Sequence, residues 1–242
     1  GHSCPPEAMS SQIPTLVIFD NDGVLIDSEK LAARSNAELL TSLGYPTTAE
    51  DCEQRFTGMS DRSMVALLKG EGYDLPNDFI EQMYAMSEKA FETELEPVRG
   101  VHAVVQNLVQ RSVKVAVASN APRFNVIKNL RTTGYDGLLP PELCFSGLDV
   151  PNPKPAPDLH RHILSRFDHK PKTAIVIEDS AVGAQGACAA GVPFIGVLYA
   201  VAPHMKAQRR EEFQALGARA VLDTPEQLNE TLSRYLSEGT PQ

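Results

Sequence analysis

Thr15-Leu16-Val17-Ile18-Phe19, broken off by Asp20-Asn21-Asp22-Gly23, decides the fold of this chain. A short apolar run rich in β-branched residues suits a strand buried on both faces of a parallel sheet. The Asp, Asn and Gly that follow are turn formers and end it abruptly. Similar runs recur at 113–118, 173–177 and 194–198. Stretches with helical apolar spacing lie around them, at 103–110, 124–131 and 158–167. Ala220-Val221-Leu222 reads as a last short strand, and Thr224-Pro225-Glu226-Gln227 supplies an N-cap, an N1 proline and a capping-box glutamine for a terminal helix. Strand-helix alternation of this kind predicts an α/β fold, a doubly wound Rossmann-like parallel sheet.

The segment 29–96 breaks the alternation. It has no strand-like run, its apolar residues Leu31, Leu39, Leu40 and Leu43 fall at helical spacing, and Gly44-Tyr45-Pro46, Gly70-Glu71-Gly72 and Leu75-Pro76-Asn77-Asp78 divide it into about four helices. A helical block inserted after the first strand predicts an all-helical cap domain over the carboxyl edge of the sheet. The expected boundaries are 13–28 and 97–242 for the α/β catalytic core and 29–96 for the cap. Residues 1–12 are expected to be a tag remnant or disordered start, since a chain opening Gly1-His2 without Met looks like a cleaved expression tag.

With 242 residues, 42% of them hydrophobic, one large core with a smaller helical unit is affordable, and more is not expected. The net charge of -9 argues against nucleic acid, whose phosphates are held by Lys and Arg. It leaves a small anionic ligand open, because one lysine and a bound cation reverse the field within a cleft. The four cysteines form no CxxC pair and read as ordinary thiols. No apolar run approaches the roughly 20 residues that span a bilayer. The expectation is a cytoplasmic protein without membrane partners; its oligomeric state is open, with a monomer favoured.

The chemistry concentrates where apolar runs end: Asp20 and Asp22, then Ser119-Asn120, then Glu178-Asp179. In an open α/β sheet the carboxyl ends of the strands line the ligand crevice, so these groups converge despite their separation in sequence. Packed carboxylates repel one another unless a cation sits among them, and oxygen ligands favour a hard ion such as Mg²⁺.

Phe19-Asp20-Asn21-Asp22-Gly23-Val24-Leu25-Ile26-Asp27-Ser28-Glu29 resembles the first signature of the haloacid dehalogenase-like phosphohydrolases, DxDGVLxDSE. The other signatures follow in order: Ser119, Lys154 within Lys154-Pro155-Ala156-Pro157-Asp158, and Glu178-Asp179-Ser180. The resemblance covers about Leu16 to Val197 and is closest to the subgroup that includes β-phosphoglucomutase and many sugar-phosphate phosphatases. It implies a Mg²⁺-dependent phosphatase acting on a small phosphorylated metabolite, a sugar or sugar-acid phosphate. Asp20 would be the nucleophile, forming an aspartyl-phosphate. Asp22 would be general acid and base and lend its backbone carbonyl to the metal. Ser119, with Asn120, would bind phosphoryl oxygens, Lys154 would neutralise charge, Gly23 would let the backbone turn around the phosphate, and Glu178 and Asp179 would complete the metal sphere. The loop Arg55-Phe56-Thr57-Gly58-Met59-Ser60-Asp61-Arg62 lies where the family selects substrate, which makes Gly58, Arg55 and Arg62 candidate substrate contacts.

Taken singly, each feature has an ordinary structural reading: Asp-x-Asp-Gly as a turn, Ser119-Asn120 as a cap, Lys154 as a loop lysine, Glu178-Asp179 as a helix start. Their joint occurrence in order at strand ends sets those readings aside. The main rival is a β-phosphoglucomutase-like mutase, against which stand Ala32 where such mutases place a His, and Ala121-Pro122-Arg123 without their lysine. Dehalogenation is disfavoured because Asp22 is present. A phospho-dependent regulator with little turnover is disfavoured by chain length, since receiver domains are about half as long and lack a helical insert. The histidines His102, His160, His162, His169 and His204 are given no role.

Overall fold

The apolar run after Thr15 forms strand β1 (Leu16–Phe19), with every residue fully buried, and Asp20 is the first residue beyond it. In the computed structural model, which describes residues 12–57 and 59–242, the chain then passes the short strand β2 (Ile26–Asp27) into helices α1 (Glu29–Ser42), α2 (Ala49–Phe56), α3 (Asp61–Gly70) and α4 (Phe79–Glu94). It returns through β3 (Glu96–Pro97) to α5 (Val101–Gln110), β4 (Lys114–Ser119), α6 (Arg123–Thr132), β5 (Cys144–Ser146) and α7 (Asp158–Arg166). The remainder is β6 (Ala174–Glu178), α8 (Ala181–Ala189), β7 (Phe194–Val197), α9 (Lys206–Ala215), β8 (Ala220–Leu222) and α10 (Pro225–Glu238). The opening residues expected to be a tag remnant lie outside the described residues, except Gln12, and so does Gly58.

The expected fold class is borne out. Six strands form one parallel sheet in the order β5-β4-β1-β6-β7-β8. Because β1 is central, the chain winds outward from it in both directions, and the crevice of a doubly wound sheet falls at its carboxyl end. The register aligns those ends: Phe19 lies beside Val117 of β4 and Ile177 of β6, and Asp20 N donates to Ile177 O at 3.0 Å. Ser119 is the last residue of β4 and Glu178 the last of β6.

One layer of the core is built from Leu16 and Ile18 of β1, Ala116 and Ala118 of β4, Leu159 and Ile163 of α7, Ala184 and Ala187 of α8, and Phe194 and Phe213. Burying such side chains supplies ~1.5–3 kcal/mol each for the larger ones, which is what holds the strand ends in register. The terminal helix is capped as its sequence suggests, with Gln227 N donating to Thr224 Oγ1 at 3.1 Å. Gln227 Oε1 accepts instead from Asp223 N at 2.8 Å, one residue before the N-cap.

The chain divides into two compact units, residues 27–96 and the remainder. The smaller unit contains the four helices around its own core of Leu39, Leu40, Phe56, Met64, Leu68 and Phe79. Cys52 and Cys144 are free, buried thiols, whereas Cys188 is disulfide-bonded, which corrects the ordinary-thiol reading for that residue.

Candidate active site

The carboxyl ends of β1 and β6 bring three carboxylates together. One oxygen each from Asp20, Glu178 and Asp179 lies within 4.8 Å of the others. Glu178 is wholly buried and Asp179 is 7% exposed, an arrangement that costs free energy unless positive charge compensates it. Lys154 supplies part of that charge. Its side chain reaches in from the loop before α7, and Nζ donates to Asp20 Oδ1 at 3.2 Å and to Ala118 O at 2.7 Å, and lies 3.7 Å from Glu178 Oε2.

The charges respond to this packing. Burial by itself would raise the Asp20 carboxyl, but the Lys154 ammonium beside it counts most in the other direction and holds Asp20 below the ordinary carboxylate range. Burial would likewise lower Lys154, and the Asp20 and Glu178 charges overcome that and raise it. Burial, reinforced by Asp20, holds Glu178 well above its usual range. Asp20 is therefore an anion paired with the Lys154 ammonium, and Glu178 is the carboxyl group whose ionisation this packing disfavours most.

The residues present fit a divalent cation. Both Glu178 carboxylate oxygens are buried without a hydrogen-bond donor, a cost that an ion among the three carboxylates would remove. The donor set is oxygen only, which suits a hard ion.

The surrounding backbone is shaped for this cluster. Asn21 O accepts from the N–H groups of Val24, Leu25 and Ile26, forming a tight turn directly after β1. Asp22 is half-buried in that turn, and Gly23 occupies a left-handed conformation at φ 78°. Tyr199, half-buried, donates its hydroxyl to Val24 O at 3.0 Å and ties the turn to the segment after β7. Ser119 is buried at the end of β4, where its Oγ accepts from Ala121 N at 3.1 Å.

Asn120, an expected phosphate contact, has its side chain engaged with the lysine loop. Its side-chain amide donates to Lys154 O and accepts from Lys154 N, each at 3.0 Å, so it clamps the backbone of the lysine loop on both sides. Arg209 of α9, 5% exposed, donates from Nη1 to the backbone carbonyl of Asp179. Neither role was visible in the sequence: Arg209 sits in a helix of charged residues, where nothing marks one arginine as buried.

In the helical unit, Arg55 pairs with Glu71 and lies over the Phe56 ring at 5.0 Å from its centroid. Arg62 is exposed on α3.

A cluster of aspartates, glutamate and lysine at the carboxyl edge of a parallel sheet lies where such folds place their ligands, and it has the mixed charge that suits an anion and a cation together. The family model of the haloacid dehalogenase-like hydrolases matches residues 17–197, and the chain belongs to that family; it is an enzyme of the phosphatase type. A phosphorylated carbohydrates phosphatase of Thermotoga maritima is 29% identical over 188 residues, covering 76% of this chain and 86% of the relative. The 6-phosphogluconate phosphatase of Escherichia coli is also 29% identical, over 78% of this chain and 84% of that protein. Among solved structures, a hydrolase of the same family from Deinococcus radiodurans, with bound phosphate and sodium, superposes with a TM-score of 0.75 at 26% identity, over 95% of this chain and 99% of that one.

Proposed function

We propose that the enzyme is a Mg²⁺-dependent phosphatase that hydrolyses a small phosphorylated metabolite, a sugar or sugar-acid phosphate, through an aspartyl-phosphate on Asp20. The observation that carries this reading is the Asp20 carboxylate, held ionised by Lys154 at 3.2 Å beside the Glu178 and Asp179 carboxylates. The names of the two bacterial relatives, a phosphorylated carbohydrates phosphatase and a 6-phosphogluconate phosphatase, support the substrate class.

In this mechanism an Asp20 oxygen attacks phosphorus, the bond from phosphorus to the ester oxygen breaks, and Asp22 gives its proton to the departing alcohol. Asp22 then takes a proton from water, which attacks the phosphorus of the aspartyl-phosphate and releases inorganic phosphate with Asp20 restored. Lys154 and Ser119 stabilise the charge that gathers on the phosphoryl oxygens, and Gly23 lets the backbone turn close to them. Asn120 holds the lysine loop in place. Asp20, Glu178, Asp179 and the Asp22 backbone carbonyl would hold Mg²⁺, which supplies charge neutralisation between nucleophile and phosphoryl group when bound. Gly58, Arg55 and Arg62 remain candidate substrate contacts within the proposal.

The same reading includes a cytoplasmic monomer with no nucleic-acid or membrane partner. Among the described residues no helix is long and apolar enough to cross a membrane. The free thiols of Cys52 and Cys144 support a reducing compartment, and the disulfide at Cys188 counts against it.

The test is phosphate release from a panel of sugar, sugar-acid, nucleotide and phosphoglycolate monoesters, with Mg²⁺ and with excess chelator. Metal-dependent release that favours sugar or sugar-acid esters is expected. Release from none of them, or release indifferent to chelator, would overturn the proposal.

A further inference from the structure

Two glycines stand where the acidic cluster leaves no room for a side chain. An ideal Cβ on Gly183 would lie 1.3 Å from Glu178 Oε2 and 2.0 Å from its carboxyl carbon. One on Gly23 would lie 1.9 Å from Asp179 Oδ2. The two cases differ in backbone. Gly23, at φ 78°, needs to be glycine for its conformation as well. Gly183 is in the first turn of α8 with ordinary helical backbone, so alanine there would ordinarily strengthen the helix. The three nearest atoms such a Cβ would meet all belong to the Glu178 carboxyl group.

The local chain explains the crowding. β6 ends at Glu178, and two residues later Ser180 caps α8, its Oγ accepting from Gly183 N at 3.1 Å. That cap pins the first turn of α8 against the Glu178 side chain. Glu178 is 0% exposed, so its carboxylate has no solvent into which to retreat without leaving the cluster.

We infer that Gly183 is a positioning residue: its missing side chain is the notch that seats Glu178 against Asp20 and Asp179, so that α8 sets the geometry of the metal site without contributing a ligand. Gly23 does the same for Asp179. The inference rests on the reading of the carboxylate cluster as a Mg²⁺ site.

The test is Gly183→Ala, read by calorimetric titration with Mg²⁺ alone, far-UV circular dichroism, and thermal unfolding in chelator. Gly186→Ala serves as control, because it puts an alanine in the same helix with its nearest contacts at 3.3 Å, on Ala156 O and the His160 ring. Gly183→Ala is expected to keep its helical signal and to lose Mg²⁺ affinity by on the order of ten- to hundredfold, the usual cost of disturbing a residue that orients a ligand. Gly186→Ala is expected to bind as wild type does. In chelator, Gly183→Ala should raise Tm when placed in a Glu178→Ala background, where the notch is empty, and not in the wild-type background. If Gly183→Ala fails to fold, rescue by Glu178→Ala supports the inference and failure of rescue overturns it. Native Mg²⁺ affinity in Gly183→Ala, or the same Tm change in both backgrounds, also overturns it while leaving the phosphatase reading intact. A wild-type protein that binds no Mg²⁺ would remove both.

Discussion

His160 offers a sharp test of how the core beneath the site is built. It lies on α7, 0% exposed, packed against Gly186 of α8, and neither ring nitrogen has a hydrogen-bond partner. Burial, helped by the nearby Lys154 charge, pushes its pKa down from 6.5 to about 3. The folded protein therefore binds fewer protons at this residue than the unfolded chain does at any pH between those values. By linkage the contribution of neutral His160 is fully present above pH 6.5 and is lost as pH falls toward 3. At ~1.4 kcal/mol per pH unit, the loss between pH 7 and pH 5 is ~2 kcal/mol. Glu178 works in the opposite sense, because its folded pKa is raised and its protonation on acidification relieves the folded state. The measurement is thus a comparison of wild type with His160→Leu, which leaves Glu178 in both proteins. Urea unfolding at pH 7 and pH 5, in chelator, gives the two stabilities. His160→Leu removes the titrating ring, and wild type should fall ~2 kcal/mol further than the variant across this interval. Parallel behaviour of the two proteins would refute the buried, neutral histidine.

Asn120→Ala removes both hydrogen bonds that clamp Lys154, at ~1 kcal/mol each, and loosens the lysine. It should lower kcat by about tenfold or more with a smaller change in KM, measured by steady-state phosphate release. Arg55→Ala breaks a surface ion pair with Glu71, the two side chains being 36% and 38% exposed, and a contact with the Phe56 ring, so the midpoint of urea unfolding should shift by the equivalent of less than ~2 kcal/mol.

Much of the fold was legible because buried parallel strands announce themselves as unbroken apolar runs. β1, β4, β6 and β7 are such runs, and the polar residue that ends each of the first three stands at the carboxyl edge for the same reason. The helical insert was legible from its turns: 44–46 separates α1 from α2, and 70–72 with 75–78 separate α3 from α4, whereas the division between α2 and α3 matches none of those breaks. β5 was missed because Cys144-Phe145-Ser146 is too short for any periodicity to register. α8 was missed for a different reason: Ala-Val-Gly-Ala-Gln-Gly-Ala-Cys-Ala has no polar stripe, since the helix is largely buried and packed close by small residues. In the site, Asp20, Glu178 and Asp179 could be placed from strand ends alone, whereas Lys154 reaches the cluster from a loop that only the family resemblance singled out. The Asn120 clamp, the buried Arg209 and the notch at Gly183 depend on which backbone approaches which side chain, information that strand and helix patterns do not carry.

The central claim is that Asp20 takes the phosphoryl group. A rapid acid quench of enzyme mixed with its best substrate and Mg²⁺, followed by peptide mass analysis, tests it directly. The account predicts the added mass of one phosphoryl group on the peptide containing Asp20, dependent on metal and absent, together with turnover, from folded Asp20→Asn. Undiminished phosphate release by Asp20→Asn, or phosphorylation found on another residue, would contradict it.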